Sequence, residues 1–251
     1  MLGGVVAVNG KAKQGVIVLR MIIGVMFVVF CSKLNAQPLE VIAVDYPYFT
    51  EQQNPPEYGV AFKLLRQALK DSGVQVQATF LPPARAHQTI KSLNWCASFY
   101  PAPQITTTEI LMSLSEEPIQ LGLYRKRQPG EFSWRQLSEL KGKQVAYLRA
   151  LSREGIGKLL QEAQVELFNT ETINQGMLLL TKGRVDYAFG DKYSGEQFFS
   201  ETQIDAANYQ FSTTFLRELT VGVWLNMNCE QAVKIRDYLQ DKGFKLATET
   251  P

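Results

Sequence analysis

The first half of the chain alternates between two spacings of apolar residues. Segments where apolar and polar residues alternate, or where β-branched residues cluster, predict strands, and segments with apolar residues three and four positions apart predict helices. The predicted elements are a strand at 39–44, a helix at 60–73, a strand at 74–81, a helix at 82–94 and a strand at 95–100. This β-α-β-α-β order is typical of a parallel sheet with helical crossovers.

The second half repeats the pattern. The predicted elements are a short helix, a strand at 144–148, a helix at 152–163, a strand at 165–168, a helix at 171–183, a strand at 184–191, an apolar strand at 219–226 and a helix at 229–243. The segment "EEPIQLGLYRKRQPGEF" joins the two groups and is interpreted as a crossover. Two similar groups predict an α/β protein with two lobes, and not one continuous sheet.

Residues 1–36 differ from the rest in charge. They hold four Lys or Arg and no Asp or Glu, and an apolar run fills Met21 to Phe30. Ten residues are too few to span a bilayer, which needs about twenty, but they are typical of a signal-peptide core. We predict export with cleavage after Ala36. An uncleaved anchor, or a lipoprotein modified at Cys31, is the alternative.

The net charge changes once that segment is removed. The whole chain has 26 Lys+Arg and 24 Asp+Glu; without the four basic residues of 1–36, 22 remain against 24, a net charge of −2. The whole chain is 45% hydrophobic and 20% charged, which is ordinary globular composition. Without residues 1–36 it has no electrostatic footprint for nucleic acid, and we predict no nucleic-acid partner.

Residue types for catalysis and metal binding are scarce. His87 is the only histidine, so a triad with a spare histidine is excluded, and we interpret it as a surface residue. No phosphate-binding loop or metal-ligand spacing is present, so we predict no cofactor, no metal and no enzymatic activity. Asp45, Glu154 and Asp191 at strand or helix ends leave a carboxylate-only enzyme open, although acids at such places also cap helices.

Polar and aromatic residues follow successive predicted strands. The candidate ligand-binding residues are Tyr46, Tyr48, Arg85, Ser98, Tyr100, Ser152 and Asp191. Ligands of open α/β sheets sit outside the carboxyl ends of the strands, where helix N-termini offer amides. The pattern therefore predicts a cleft for a small zwitterion or polar organic molecule.

Four motifs occur in an order and spacing known from one family: "DYPYF", "LSEEPI", "LSELKGKQVAYLRALS" and "LLLTKGRVDYAFGD". Over residues 39–243 the chain resembles the bacterial extracellular solute-binding protein family 3, the periplasmic amino-acid-type binding proteins. The resemblance implies a type II periplasmic binding protein-like fold with two crossover strands. Its first lobe would be 37–121 plus 222–251, and its second lobe 122–221.

The resemblance also implies a function. Members are periplasmic proteins that enclose a small solute by hinge closure, so we expect a monomer that delivers its ligand to an inner-membrane ABC permease. A ligand-sensing module read by a membrane partner is a second interpretation. A third is an enzyme on the same scaffold, of the cyclohexadienyl dehydratase type, with Asp191, Glu154 or Asp45 as acid or base.

Roles for individual residues follow from the resemblance. Tyr46 matches the ring that covers the ligand, Ser152 the hydroxyl that receives a carboxylate, Asp191 the acid that pairs with an α-amino group, and Ser98 a polar position of the first lobe. The arginine that usually clamps the ligand carboxylate is missing between residues 102 and 120. Arg85 could take its place, or could be a surface residue.

Cys96 and Cys229 remain after removal of residues 1–36. An exported protein meets oxidising conditions that permit a disulfide, and two buried thiols are the alternative. In the fold that the resemblance implies, the helix that begins at Cys229 returns to the first lobe, which favours a bridge to Cys96.

Overall fold

Two β-sheets, each flanked by helices, make up the described part of the chain. The computed structural model describes residues 1, 3–4, 37–102, 104–149 and 155–247. The strands are β1 (Leu39–Ala43), β2 (Val76–Phe80), β3 (Ala97–Ser98), β4 (Glu109–Ser113), β5 (Ile119–Lys126), β6 (Gln144–Leu148), β7 (Glu166–Thr170), β8 (Tyr187–Asp191), β9 (Tyr209–Phe211), β10 (Arg217–Leu219) and β11 (Gly222–Asn226). The α-helices are α1 (Val60–Ala68), α2 (Pro83–Lys91), α3 (Gly155–Glu162), α4 (Ile173–Thr181), α5 (Lys192–Thr202) and α6 (Glu230–Asp241).

Several predictions concern residues outside this description. They are the signal peptide over 1–36, its cleavage after Ala36, and the candidate residues Ser152 and Glu154.

The strand orders confirm the predicted α/β architecture with two sheets. Sheet 1 has the order β2-β1-β3-β11-β4, and sheet 2 has the order β10-β5-β8-β6-β7 with β9 added beside β5. In sheet 1, β1 is parallel to β2 and β3, whereas β11 is antiparallel to β3 and β4. In sheet 2, β6 is parallel to β7 and β8, and β5 is antiparallel to β8 and β10.

Sheet 1 is covered by helices on both faces. Val41 of β1 lies in one apolar cluster with Phe62 of α1 and Ile235 of α6. Its neighbour Ile42 lies in a second cluster with Ile90 of α2. Because consecutive residues of a strand point to opposite faces, residues 41–43 of β1 are all apolar and buried, as in strands covered on both sides.

The elements that the sequence pattern missed are mostly at the connections. The predicted crossover segment contains β5, which is a central strand of sheet 2. The strand predicted over 219–226 corresponds to β11 of sheet 1, whereas β10 of sheet 2, which ends at Leu219, was not predicted. Strand β4 and helix α5 were not predicted, since the apolar residues of α5 do not follow a clear helical spacing.

The two connections between the sheets run side by side. The chain passes from β4 to β5 through residues 114–118 and returns from β10 to β11 through residues 220–221. The Leu114 N–H donates to the Val221 carbonyl at 2.8 Å. A Cβ atom on Gly222 would lie 2.5 Å from the Met112 carbonyl oxygen, so glycine is what allows β11 to approach β4 this closely.

Two further contacts fasten sheet 1. The Cys96 and Cys229 sulfur atoms are bonded at 1.98 Å, which joins the start of β3 to the start of α6 across 133 residues of sequence. The outer side of β4 is paired as well: the Ser113 N–H donates to the Lys245 carbonyl at 2.9 Å, and the Ala247 N–H donates to the Leu111 carbonyl at 2.8 Å.

Candidate functional site at the junction of the sheets

The loop after β1 has a defined backbone conformation. Tyr46 and Thr50 exchange two backbone hydrogen bonds of 2.7 and 2.9 Å, and the Thr50 hydroxyl donates to the Val44 carbonyl at 2.7 Å. Tyr48, at the turn between them, has φ of 70°, which costs a non-glycine residue some strain and is therefore supported by its surroundings. The loop thus presents its side chains in fixed directions.

The same loop uses the first amides of α1. The Val60 and Ala61 N–H groups donate to the Tyr48 and Phe49 carbonyls, both at 2.9 Å. Gly59 has φ of 90°, and a Cβ atom there would lie 2.5 Å from the Phe49 oxygen. At this helix start the backbone donors therefore hold the loop, and the Phe49 side chain is buried.

Asp191 connects the two sheets. It is fully buried at the end of β8, where it caps α5: its Oδ1 accepts from the Ser194 N–H at 3.0 Å. Its Oδ2 accepts from the Ser194 hydroxyl at 2.5 Å and from the Tyr46 hydroxyl at 2.9 Å. The Ser194 oxygen also lies 3.1 Å from the Pro47 carbonyl. The structure thus brings together two of the predicted residues, Tyr46 and Asp191, which are 145 residues apart in sequence.

The surroundings of Tyr46 keep its phenol protonated. Burial, and after it the neighbouring Asp191 carboxylate, raise the pKa of the Tyr46 phenol well above its usual value. The phenol therefore stays protonated and acts as the donor. A hydrogen bond to a charged acceptor is stronger than one between neutral groups.

Two more contacts join the loop to α5. The Tyr48 ring stacks on Tyr193, with centroids 4.9 Å apart and planes 7° from parallel. The Glu51 Oε1 accepts from the Gln197 Nε2 at 2.5 Å. We call this set of contacts between residues 46–51 and α5 the junction. Sequence reasoning missed Ser194, Tyr193 and Gln197. An Asp at the start of a helix is a usual N-cap that accepts from the N–H three residues later, and this signal could have predicted the contact between Asp191 and Ser194.

The other predicted residues of sheet 1 have different surroundings. Arg85 is exposed on the first turn of α2. Ser98 is fully buried, and its hydroxyl donates to the Tyr100 carbonyl at 2.8 Å. The Tyr100 hydroxyl lies 3.4 Å from His87 Nδ1, so this histidine is half-buried and not a fully solvated surface residue as interpreted from the sequence. Within the described residues, no hydrogen bond links Arg85, Ser98 or Tyr100 to Tyr46 or Asp191.

Sheet 2 has two further polar side chains at the end of the sheet that carries Asp191. In the strand register Arg217 of β10 lies opposite Leu121 of β5, which lies opposite Asp191 of β8. Burial raises the pKa of the Tyr147 phenol, whereas the Gly157 N–H and the Arg217 charge act in the opposite direction. Arg217 and Tyr147 therefore lie at the same end of sheet 2, on strands β10 and β6. Sequence reasoning missed both, because their placement depends on the order of the strands.

Known proteins resemble this chain in structure. No protein-family model matches it, and no curated protein sequence does. The GluR0 ligand-binding core from Nostoc punctiforme, in complex with L-glutamate, aligns with a TM-score of 0.61 and 17% identity, over 82% of this chain and 93% of its own. An ancestral arginine-binding protein bound to arginine aligns with a TM-score of 0.63 and 18% identity, over 83% and 93%.

A third solved structure is similar over the same extent of the chain. It is a histidine kinase sensor domain with similarity to periplasmic binding proteins, and it aligns with a TM-score of 0.62 and 17% identity, over 82% of this chain and 92% of its own. This chain has a periplasmic binding protein-like fold. The fold agrees with the expectation from the sequence motifs, and at these identities it is the fold alone that the likeness establishes.

Within the periplasmic binding protein-like fold the described residues contain few other candidates. No cluster of three or more His, Cys, Asp or Glu is placed to hold a metal ion among them. None of the helices in residues 37–102, 104–149 and 155–247 is long and apolar enough to cross a membrane. The junction and the neighbouring end of sheet 2 are therefore the candidate site.

Proposed function

We propose that the chain is an exported solute-binding protein that encloses a small polar or amino-acid-like ligand between its two sheets. The observation that carries the proposal is the contact between Tyr46 and Asp191, which brings opposed strand ends of the two sheets together. In this fold such strand ends are where ligands bind. Relatives in fold that were solved with L-glutamate and with arginine support a small polar ligand.

The proposed mechanism is hinge closure about the paired connections at 114–118 and 220–221. Few backbone torsions need to change there, since the remaining residues belong to the sheets and helices. Ligand would then shift the population toward the closed form to the extent that it binds that form more tightly. X-ray scattering with and without ligand tests this: we expect the radius of gyration to fall on binding.

The destination of the ligand has two candidates. Import through an inner-membrane ABC permease is the first. A signalling partner is the second, supported by the histidine kinase sensor domain among the similar structures. Co-purification from membranes with and without ligand distinguishes them, because a permease and a sensor kinase differ in mass and in sequence.

A thermal-shift screen over amino acids, amines, small acids and short peptides tests the proposal directly. A ligand of the native state at a hundred times its dissociation constant adds about 2.7 kcal/mol to the free energy of unfolding. If nothing in the panel raises the melting temperature, solute binding as proposed is wrong. Conversion of a binding compound into a new product would instead favour the enzyme of the dehydratase type.

A further inference from the structure

The acid expected to pair with a ligand amine already has protein partners. Both oxygens of Asp191 accept hydrogen bonds, three in total, from the Ser194 N–H, the Ser194 hydroxyl and the Tyr46 hydroxyl. Its side chain is fully buried. A carboxylate has about four acceptor positions, so about one remains on Asp191, and full burial keeps a ligand ammonium from reaching it while the Tyr46 and Ser194 contacts are in place.

Arg217 is a cation at the same end of sheet 2 as Asp191, and so is Arg149, which is paired with Glu171 at 3.0 Å. Residues directly opposite on neighbouring strands point to the same face, so Arg217, Leu121 and Asp191 share one face and one level of the sheet. With two strand spacings between them, Arg217 and Asp191 have backbones about 10 Å apart. A ligand group bound by Arg217 would therefore lie near the junction but not on Asp191 itself.

The surroundings of Arg217 suit an anion. Burial raises the pKa of the Tyr147 phenol, while the Gly157 N–H of α3 and the Arg217 charge act in the opposite direction. The positive charge of Arg217 therefore acts at the end of sheet 2 where α3 follows β6. The planar donor fork of arginine matches a carboxylate in a bidentate arrangement, and helix starts favour negative charge.

We propose that Arg217 anchors the anionic group of the ligand, and that Asp191 is a positioning residue that holds Tyr46 across the junction. The ligand class is then a small organic carboxylate whose binding does not require an ammonium group. This inference rests on the proposed solute-binding function and narrows it.

Matched pairs of compounds test the ligand class by calorimetry. L-Glutamate and glutarate differ by the amino group, and L-arginine and agmatine differ by the carboxylate; the same pairing extends to each amino acid and its deaminated acid. We expect a binding acid to keep its affinity within about threefold when the amino group is absent, and the amine without carboxylate not to bind. Binding that requires the amino group overturns the inference and leaves the proposed function standing. The absence of any binder in the panel overturns both.

Three variants test the residues. Arg217→Gln should weaken the binding acid about tenfold or more, as loss of a charged hydrogen bond does, and Arg217→Lys should restore part of it. Arg85→Gln is the comparison variant, because Arg85 is an exposed arginine on α2 and the alternative anchor. Loss of affinity in the Arg85 variant with none in the Arg217 variants would assign the anchor to Arg85. Melting curves without ligand check that each variant folds, and if Arg217→Gln does not fold, Arg217→Lys carries the comparison.

Asp191→Asn separates a positioning role from a ligand contact. If Asp191 acts through Tyr46, the dissociation constants of glutarate and L-glutamate should change by the same factor. A contact with the ligand ammonium would weaken L-glutamate alone, and that result would contradict the inference.

Discussion

The two sheets are joined in two places, and the joints differ in kind. At the connections, the chain itself crosses twice, the Leu114 N–H bonds to the Val221 carbonyl, and Gly222 leaves no room for a side chain. At the junction, the contacts are made by side chains: a phenol on a carboxylate, two stacked rings, and an amide on a carboxylate. The first joint persists in any folded conformation, whereas the second can form and break while both sheets stay intact.

The difference tells us where stability and where conformational change are located. Backbone pairing and close packing at the connections tolerate little substitution. The side-chain contacts of the junction are each worth about 1–2 kcal/mol, so they can break without unfolding either sheet. The following changes test that contrast, from the largest expected effect to the smallest.

The disulfide lies outside both joints, so its loss should lower stability without affecting the junction. We expect Cys96→Ser combined with Cys229→Ser to lower the free energy of unfolding by about 2–5 kcal/mol, because the bridge closes a long loop of the unfolded chain. Urea denaturation measures the loss, and reductant added to the unaltered protein is the control. Detection of two free thiols by mass in the unreduced protein would show that the bridge does not form.

Gly222→Ala addresses the connections. The added Cβ would lie 2.5 Å from the Met112 carbonyl oxygen, so the paired strands must move apart, at a cost of about 1–3 kcal/mol. Gly190→Ala, also in a strand, is the matched control, because its Cβ meets the Ile173 side chain at an ordinary 3.5 Å. Equal melting temperatures for the two variants would contradict the tight approach of β11 and β4.

Tyr46→Phe addresses the junction. Removing the hydroxyl deletes one hydrogen bond to the buried Asp191 carboxylate, and we expect the free energy of unfolding to fall by about 1.5 kcal/mol. The matched variant is Tyr124→Phe, whose hydroxyl donates to the Lys192 carbonyl at 3.1 Å within the sheet 2 half. Hydrogen exchange should rise in residues 46–51 for the first variant and not for the second. The same exchange pattern in both would mean that the junction is not separable from sheet 2.

Glu51 gives the smallest effect, and its sign depends on pH. Burial raises its pKa, but hydrogen bonds from Gln197, Asn54 and the Tyr48 N–H outweigh burial, so the pKa lies below its usual value. A lowered pKa stabilises the folded state above the unfolded value of about 4.5, and this contribution is lost as pH falls through the folded pKa. The wild type should melt slightly above Glu51→Gln at pH 6, with the difference vanishing near pH 3. A difference that grows in acid would reverse the assignment.

Local patterns predicted the elements whose signal is local. Strand β6 was predicted with both its bounds, Gln144 and Leu148, and Asp191 was placed at a strand end. The contacts of Asp191 with Ser194, and of Tyr48 with Tyr193, were not predicted from the sequence. Ser194 and Tyr193 lie on α5, a helix without a regular apolar face that was itself not predicted. The position of Arg217 was even less predictable from the sequence. It is level with Asp191 because of the strand order β10-β5-β8, which brings together residues far apart in sequence.

The paired connections also set the order in which the chain can fold. All strands of sheet 2 come from residues 119–219, whereas sheet 1 needs β11, residues 222–226, placed between β3 and β4. During synthesis the middle of the chain can therefore complete its sheet while the earlier strands β1 to β4 wait for a central member. Because domains fold as units while the chain emerges, those early strands are the segment most exposed to wrong pairing and to chaperones. Sheet 1, whose first strands are synthesised before those of sheet 2, is therefore completed after sheet 2.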